Sequence, residues 1–325
     1  MVRRRGTILV LATGGTIAGV GEQGNIAGYR PGRLTADELL KEIPNIEDVA
    51  PIETVQICNV NSDDITADIW LQLAAIINRE SKDDNVKGFV ITHGTDTLEE
   101  TAYFLNLTVK TKKSVIITGA MRPATAISAD GPMNLYQAVC AAAAPETEGQ
   151  GVLAVFADRI YTARSVTKTS TYQLTAISAG RMGAIGVIRD GKVYLYETTF
   201  KTHTHKSEFD VSRLDKLPSV SILYFHVDAS AEFLKFAIEH SDGIVIAGAG
   251  AGEVSLEYGK IIESADVPVV ISSRVDDGLI TEDMLLFAGT IAANNLSPQK
   301  AAVLLRLALT VTKDKERIAN MFAKY

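Results

Sequence analysis

The chain has 325 residues, 46% of them apolar, enough for two domains with sizeable cores and too apolar for a disordered polymer. Its net charge of −7 argues against nucleic acid or an anionic membrane surface as a partner. No segment approaches the roughly 20 apolar residues of a membrane helix, and the two cysteines, Cys58 and Cys140, read as buried free thiols of a reducing compartment, outside any C-x-x-C pattern.

In chain order, Arg3-Arg4-Arg5 and the apolar run 8–12 imitate a secretory leader, but five apolar residues fall short of the roughly 7–15 such a core needs. A first buried strand over 7–12 is the better reading. Further strands are expected at 88–91, 114–118, 152–156, 220–224, 243–247 and 267–272, most of them apolar throughout, as strands covered on both faces are. Between them the spacing predicts helices over 35–41, 65–79, 98–107, 133–144, 229–239 and 298–310. Ser62-Asp63-Asp64 reads as the cap and acidic first turn of the second of these. The alternation predicts an α/β fold, a mostly parallel, doubly wound sheet. The polar stretch 198–217 is long for a connection inside one domain, so the expected division is an N-terminal α/β domain over 1–197, a linker over 198–217, and a smaller parallel α/β domain over 218–325.

Two turns carry candidate chemistry. Thr13-Gly14-Gly15-Thr16 follows the first strand, and Thr92-His93-Gly94-Thr95-Asp96-Thr97 follows the second. Open α/β sheets place ligands at such strand ends. Thr16 is a nucleophile if a base takes its proton, and the glycine-rich stretch after it could be a lid carrying Tyr29 over it. Thr95 offers a second hydroxyl, Asp96 could meet an ammonium, and the turn's amides could stabilise an oxyanion. The plainer alternative is a helix cap, since Thr97-x-x-Glu100 fits a capping box. Lys168, among small hydroxyl residues in Val166-Thr167-Lys168-Thr169, is a base if partial burial lowers its pKa, and a solvated surface charge otherwise. Gly248-Ala249-Gly250-Ala251-Gly252 resembles a nucleotide-binding turn without the acidic partner such a turn needs. His203 and His205 read as solvated, since no further metal ligands accompany them.

Taken together these pieces resemble the bacterial L-asparaginase family, in particular the type II branch that shades into glutaminase-asparaginases. The resemblance runs along nearly the whole chain. It is carried by the two turns, by the block from Gly88 to Tyr103, and by Gly119-Ala120-Met121-Arg122-Pro123, Ser128-Ala129-Asp130-Gly131-Pro132, Val166-Thr167-Lys168-Thr169 and Ser272-Ser273-Arg274. It implies two α/β domains, a homotetramer built from intimate dimers with active sites at subunit interfaces, and no metal or organic cofactor. It implies hydrolysis of the L-asparagine side-chain amide to aspartate and ammonia through a threonine acyl-enzyme, with a glutaminase-asparaginase of broader specificity or a non-catalytic amino-acid-binding homologue as alternatives. Thr16 and Tyr29 then correspond to the nucleophile and its lid tyrosine, and Thr95, Asp96 and Lys168 to the second catalytic group. Ser62 corresponds to the residue that binds the substrate carboxylate, Asp96 to the one that meets its ammonium, and Ala120 to a carbonyl near the leaving ammonia.

Three positions depart from the family pattern. Asp63 stands where Gln or Glu is common, and Glu253 where Asn or Ser is usual. The neighbouring subunit's glutamate has Glu282 as its nearest counterpart. Extra carboxylates at Asp63 and Glu253 could replace lost negative charge around the substrate ammonium. Secreted members often carry a disulfide across the 81 and 111 neighbourhood; Ser81 and Thr111 here imply a cytoplasmic protein.

Overall fold

The structure is a computed structural model that describes residues 3–25, 30 and 32–325. Contacts divide the chain into two units, Met1–Arg213 and Leu214–Tyr325.

The first unit is built on an eight-stranded sheet. Its strands in chain order are β1 (Thr7–Gly14), β2 (Ile52–Val60), β3 (Val86–Thr92), β4 (Ser114–Thr118), β5 (Val152–Phe156) and β6 (Arg159–Thr162), followed by the two-residue pair β7 (Thr167–Lys168) and β8 (Ile177–Ser178) outside that sheet, then β9 (Gly186–Arg189) and β10 (Lys192–Leu195). The sheet order is β10-β9-β6-β5-β4-β3-β1-β2. The five strands β2, β1, β3, β4 and β5 run parallel, and β6, β9 and β10 add an antiparallel edge. That edge is absent from the sequence-based strand set. Its hairpin turns on Asp190-Gly191, both at positive φ, a dipeptide that signals a tight primed turn.

Strands β1, β3, β4 and β5 are nearly continuous apolar runs because both faces are covered. One face packs Ile8, Val10, Val90, Ile116 and Leu153 against Leu135, Ala138 and Val139 of helix α4, with Leu39 of α1 in the same cluster. The helices here are α1 (Ala36–Lys41), α2 (Ala67–Glu80), α3 (Leu98–Thr108) and α4 (Gly131–Ala143). Period-two alternation sends Leu9, Leu11, Phe89 and Ile91 to the other face, where α3 packs on β4 and β5 and is itself covered by α2. A helix covered this way is apolar almost all round, and Tyr103, Phe104 and Leu105 are fully buried.

Two capping expectations fail for one reason. Ser62–Asp64 forms its own 3₁₀ turn instead of starting α2, and the Thr97 side chain makes no cap bond to α3. The Thr97 hydroxyl donates to the Ser62 carbonyl at 2.6 Å, so the two turns are tied to each other and not to their helices.

The register of the parallel strands decides where the loops emerge. Ala12 of β1 lies beside Thr92 of β3, Thr92 beside Thr118 of β4, and Gly14 beside Val60 of β2. Four strands therefore end at the same edge, and the segments after them meet there.

The stretch 198–213 belongs with the first unit, and does not hang free as a linker. Phe209 and Val211 are buried, and Lys110 Nζ donates to the Ser207 carbonyl at 2.6 Å. His203 is buried as well, contrary to the solvated reading, and its ring hydrogen-bonds the Thr204 hydroxyl at 2.9 Å. Cys140 is buried and Cys58 half-buried; both are free, and burial raises both thiol pKa values.

The second unit has a four-stranded parallel sheet, β11 (Val220–Tyr224), β12 (Gly243–Gly248), β13 (Val269–Ser273) and β14 (Thr290–Ala292), in that order. Helices α5 (Ala231–His240), α6 (Leu256–Glu263), α7 (Pro298–Leu309) and α8 (Lys315–Lys324) cover it. Its core joins Leu234, Ile244, Ile246, Ile262, Val269 and Ile280. Strand β14 and helices α6 and α8 are not in the sequence-based set. No helix among the described residues is long and apolar enough to cross a membrane.

Candidate active site

The site grows out of the shared edge of β2, β1, β3 and β4. Gly14 and Gly15 both have positive φ, and the Gly15 N–H donates to the Val60 carbonyl at 2.9 Å. The Thr13 hydroxyl donates to the Thr92 carbonyl at 2.9 Å and pins the end of β1 to the end of β3. A Cβ on Gly15 would lie 2.3 Å from the Gly94 nitrogen, so the two turns touch backbone to backbone. A Cβ on Gly94 would lie 2.8 Å from both Cβ and Oγ of Ser62. Glycine is required at both places because no side chain fits. Thr16 and Thr95 each follow one of these glycines and are 7% and 4% exposed.

Around Thr95 the polar contacts converge. Lys168 Nζ donates to Thr95 Oγ1 at 2.9 Å and to Asp96 Oδ1 at 2.5 Å. The Lys168 side chain is 17% exposed and that of Asp96 61%, so the ion pair has one buried end and one open to a ligand. Glu99 holds the lysine's backbone from behind: its carboxylate accepts from the Thr167 hydroxyl at 2.5 Å and from the Lys168 N–H at 2.9 Å. Ser62, 2% exposed, accepts the Asp96 N–H on its hydroxyl oxygen at 3.3 Å, which leaves the hydroxyl proton for an acceptor. Asp63 is exposed beside it.

The loop after β4 is fixed by Asp130, whose carboxylate accepts the Met121 and Arg122 N–H groups, each at 2.9 Å. Ala120 is fully buried there, and a Cβ on Gly119 would sit 2.3 Å from the His93 carbonyl oxygen. The same loop meets the stretch after Thr16, since Ala124 N–H donates to the Gly19 carbonyl at 3.0 Å and Gly21 N–H to the Thr125 hydroxyl at 3.0 Å.

His93 lies under the second turn with no exposed surface. Its Nδ1 is 2.7 Å from the Gly94 carbonyl and its Nε2 2.9 Å from the Thr101 hydroxyl. Burial lowers its pKa to about 4, against a smaller opposing effect of the Gly94 carbonyl.

Ser62, Thr95, Asp96 and Lys168 are thus brought together beside the turn that carries Thr16, with Ala120 on the neighbouring loop. Tyr29 lies outside the described residues. Glu253 and Glu282 lie in the second unit. Glu253 is exposed, and its N–H donates to the Ala249 carbonyl at 2.8 Å to close the glycine turn. Glu282 starts an exposed 3₁₀ turn, Glu282–Met284, and Glu253 and Met284 border one narrow cleft of that unit with Ile271 and Phe287. Sequence reasoning passed over His93, Thr101, Trp70 and Glu99. A histidine at the end of a mostly apolar strand, followed eight residues later by a threonine on a buried helix, was the available signal.

The arrangement is a buried hydroxyl pair with an ammonium and a carboxylate on two glycine turns at a shared strand edge. Comparison with known proteins gives it a lineage. The Asparaginase, N-terminal model matches residues 7–201, and the Glutaminase/Asparaginase C-terminal domain model matches 219–322. The chain belongs to the asparaginase family. It is 43% identical to L-asparaginase 2 of Escherichia coli over 98% of this chain and 93% of that protein. It is 40% identical to the glutaminase-asparaginase of Acinetobacter glutaminasificans over 99% of this chain and all of that protein. A solved structure from Campylobacter jejuni, a probable cytoplasmic L-asparaginase, superposes with a TM-score of 0.93 at 44% identity, covering 99% of this chain and all of that one.

Proposed function

We propose that this protein hydrolyses the side-chain amide of L-asparagine to aspartate and ammonia, with Thr16 as nucleophile and Thr95, Lys168 and Asp96 as the group that handles protons. The observation that carries this reading is the contact of Lys168 Nζ with both Thr95 Oγ1 and Asp96, at the turn packed on Gly15. A threonine hydroxyl needs a base and its product amine needs a proton, and this cluster supplies both beside Thr16. Thr16 Oγ attacks the amide carbon, the C–N bond breaks, and nitrogen leaves as ammonia after taking a proton. Water then cleaves the resulting ester.

Substrate recognition follows from the remaining groups. The Ser62 hydroxyl donates to the α-carboxylate. Asp96 Oδ1 is engaged by Lys168, and its largely exposed carboxylate meets the α-ammonium. Tyr29 takes the role of the family's lid tyrosine, and the Ala120 carbonyl receives the leaving ammonia; these two assignments rest on the family resemblance. So do the roles of Glu253 and Glu282, which add negative charge at the ammonium end of sites completed across subunits of a homotetramer. Asp63 adds to that charge, and Glu253→Asn with Asp63→Gln raises KM for asparagine if it does so. A reducing, cytoplasmic setting suits the free thiols and the Ser81 and Thr111 positions.

A second reading, a glutaminase-asparaginase, is favoured by the 40% identity to an enzyme of that name. Ammonia release from L-asparagine, L-glutamine and D-asparagine, measured side by side with Thr16→Ala, decides between them. Absence of release from all three, or undiminished release by the variant, defeats the reading. Size-exclusion chromatography with light scattering tests the tetramer.

A further inference from the structure

We infer that His93 is a positioning residue that aims the Thr95 amide at the reacting carbonyl oxygen, through a buried relay from Trp70 to Thr101 to His93 to the Gly94 carbonyl; the inference rests on the amidohydrolase reading above.

The direction of every bond in the relay is dictated by chemistry. The Trp70 indole N–H can only donate, and it lies 2.8 Å from Thr101 Oγ1. That oxygen accepts, so its own proton goes to His93 Nε2 at 2.9 Å. Nε2 is therefore the unprotonated nitrogen of a neutral ring, and Nδ1 carries the hydrogen. Nδ1–H faces the Gly94 carbonyl oxygen at 2.7 Å, an atom that can only accept. The opposite tautomer would set two lone pairs against each other and leave the Thr101 proton without an acceptor. Trp70 is 6% exposed and His93 and Thr101 not at all, so water does not compete for these groups. Burial also keeps the ring neutral at ordinary pH.

The consequence falls on the next amide. The Gly94–Thr95 peptide is planar and trans, so a carbonyl drawn inward to His93 turns the Thr95 N–H outward. That N–H donates to no protein acceptor among the described residues, whereas the next one, Asp96 N–H, is taken by Ser62. An amide held outward on the turn that packs against Gly15, the residue before Thr16, is a pre-oriented donor for the oxyanion that forms when the amide carbonyl is attacked. Glycine on one side leaves this peptide freer to rotate than one between two substituted residues, and the His93 bond holds it. Orientation matters only when charge develops on the oxygen, so loss of His93 should lower kcat and leave KM alone.

The test uses the full-length enzyme with asparagine. His93→Leu keeps the bulk and removes the donor; kcat is expected to fall about three- to tenfold, with KM within about twofold of wild type. His93→Asn places an amide N–H near the Nδ1 position and should recover most of kcat, although it loses the Thr101 bond and melts at a similarly lowered temperature. Unchanged kcat in His93→Leu, a change in KM alone, or an asparagine variant as slow as the leucine one overturns the inference. Should His93→Leu fail to fold, Thr101→Val takes its place, with about a twofold loss of kcat expected at constant KM and no loss overturning it. Proton–nitrogen correlation spectra of the wild type give an independent reading: an Nδ1-protonated ring at neutral pH is expected, and an Nε2-protonated or charged ring overturns the relay. Wild-type protein that releases no ammonia would defeat the amidohydrolase reading instead, and so the two failures are told apart.

Discussion

Two glycine turns of this molecule look alike in sequence and differ in everything that makes a site. The Gly14-Gly15 turn after β1 and the Gly248–Gly252 turn after β12 both end buried parallel strands. Around Gly15 the nearest backbone is that of Gly94, on another strand's loop, and Ser62 and Lys168 arrive from two further elements. Around Gly248 the nearest backbone is Gly252, four residues on, and the loop closes on itself through Ala249 and Glu253. A glycine turn at a strand end is a consequence of backbone geometry. It becomes a reactive centre only where register brings other elements' hydroxyls and charges to it.

The largest effect that can break this contrast is on turnover. Thr16→Ala and Thr95→Val should each lower kcat at least about 1,000-fold, since nucleophile and proton-handling groups act as a unit. Steady-state ammonia release checks it. A small effect at Thr95 would mean that convergence of polar groups there is structural.

Next comes stability. Gly15→Ala should destabilise the first unit by more than about 3 kcal/mol, because φ is +79° with ψ −171°, a region nearly closed to other residues, and the new Cβ would sit 2.3 Å from the Gly94 nitrogen. Neither backbone can retreat without breaking the β1–β3 pairing. Urea unfolding with activity measured on the surviving folded fraction separates lost stability from a displaced Thr16.

Much of this was legible in the chain. The apolar runs located the central strands because burial on both faces removes polar residues, and the two turns stood out because their glycines are forced by close approach. The antiparallel edge was hidden because β9 and β10 are short, with exposed residues such as Arg189 and Lys192. Helix α8 is polar enough that only its packing face reveals it. At the site, Thr97 reads as a cap because the local pattern fits one, and tertiary contact with Ser62 wins instead. Glu99 and His93 were missed for a related reason: their partners, Thr167 and Thr101, depend on how distant segments pack, which spacing along the chain does not encode.

The pH dependence of stability should also divide the two units. His93 and His203 are held neutral in the first unit with pKa lowered to about 4, chiefly by burial, and for His203 also by the charges of His205 and Lys206. Unfolded, each takes a proton near pH 6.5. The unfolded chain therefore binds more protons between those values, and stability present above pH 6.5 is lost as pH falls toward 4, by about 2 kcal/mol per histidine between pH 7 and pH 5. The second unit's two histidines, His226 and His240, are exposed. Hydrogen exchange at pH 7 and pH 5 should show protection lost first in β1, β3 and α3. Equal loss in β12 and β13 would contradict this, and His93→Asn should flatten the first unit's slope.

The smallest expected effect closes the contrast from the other side. Gly250 has φ +49°, and a Cβ built there meets nothing within 4 Å. Gly250→Ala therefore carries only the left-handed backbone strain, about 1 kcal/mol, partly offset by reduced freedom of the unfolded chain. Gly250→Asn should be milder still, since asparagine tolerates this conformation. The Ser273 hydroxyl bond to the Gly250 carbonyl, at 2.6 Å, involves only backbone on the glycine side and survives either change. Both variants should keep wild-type kcat and KM, measured on asparagine alongside the melting temperature. A loss of turnover approaching that of Thr16→Ala would mean the second glycine turn has a role at the reacting centre that its self-closed backbone does not suggest.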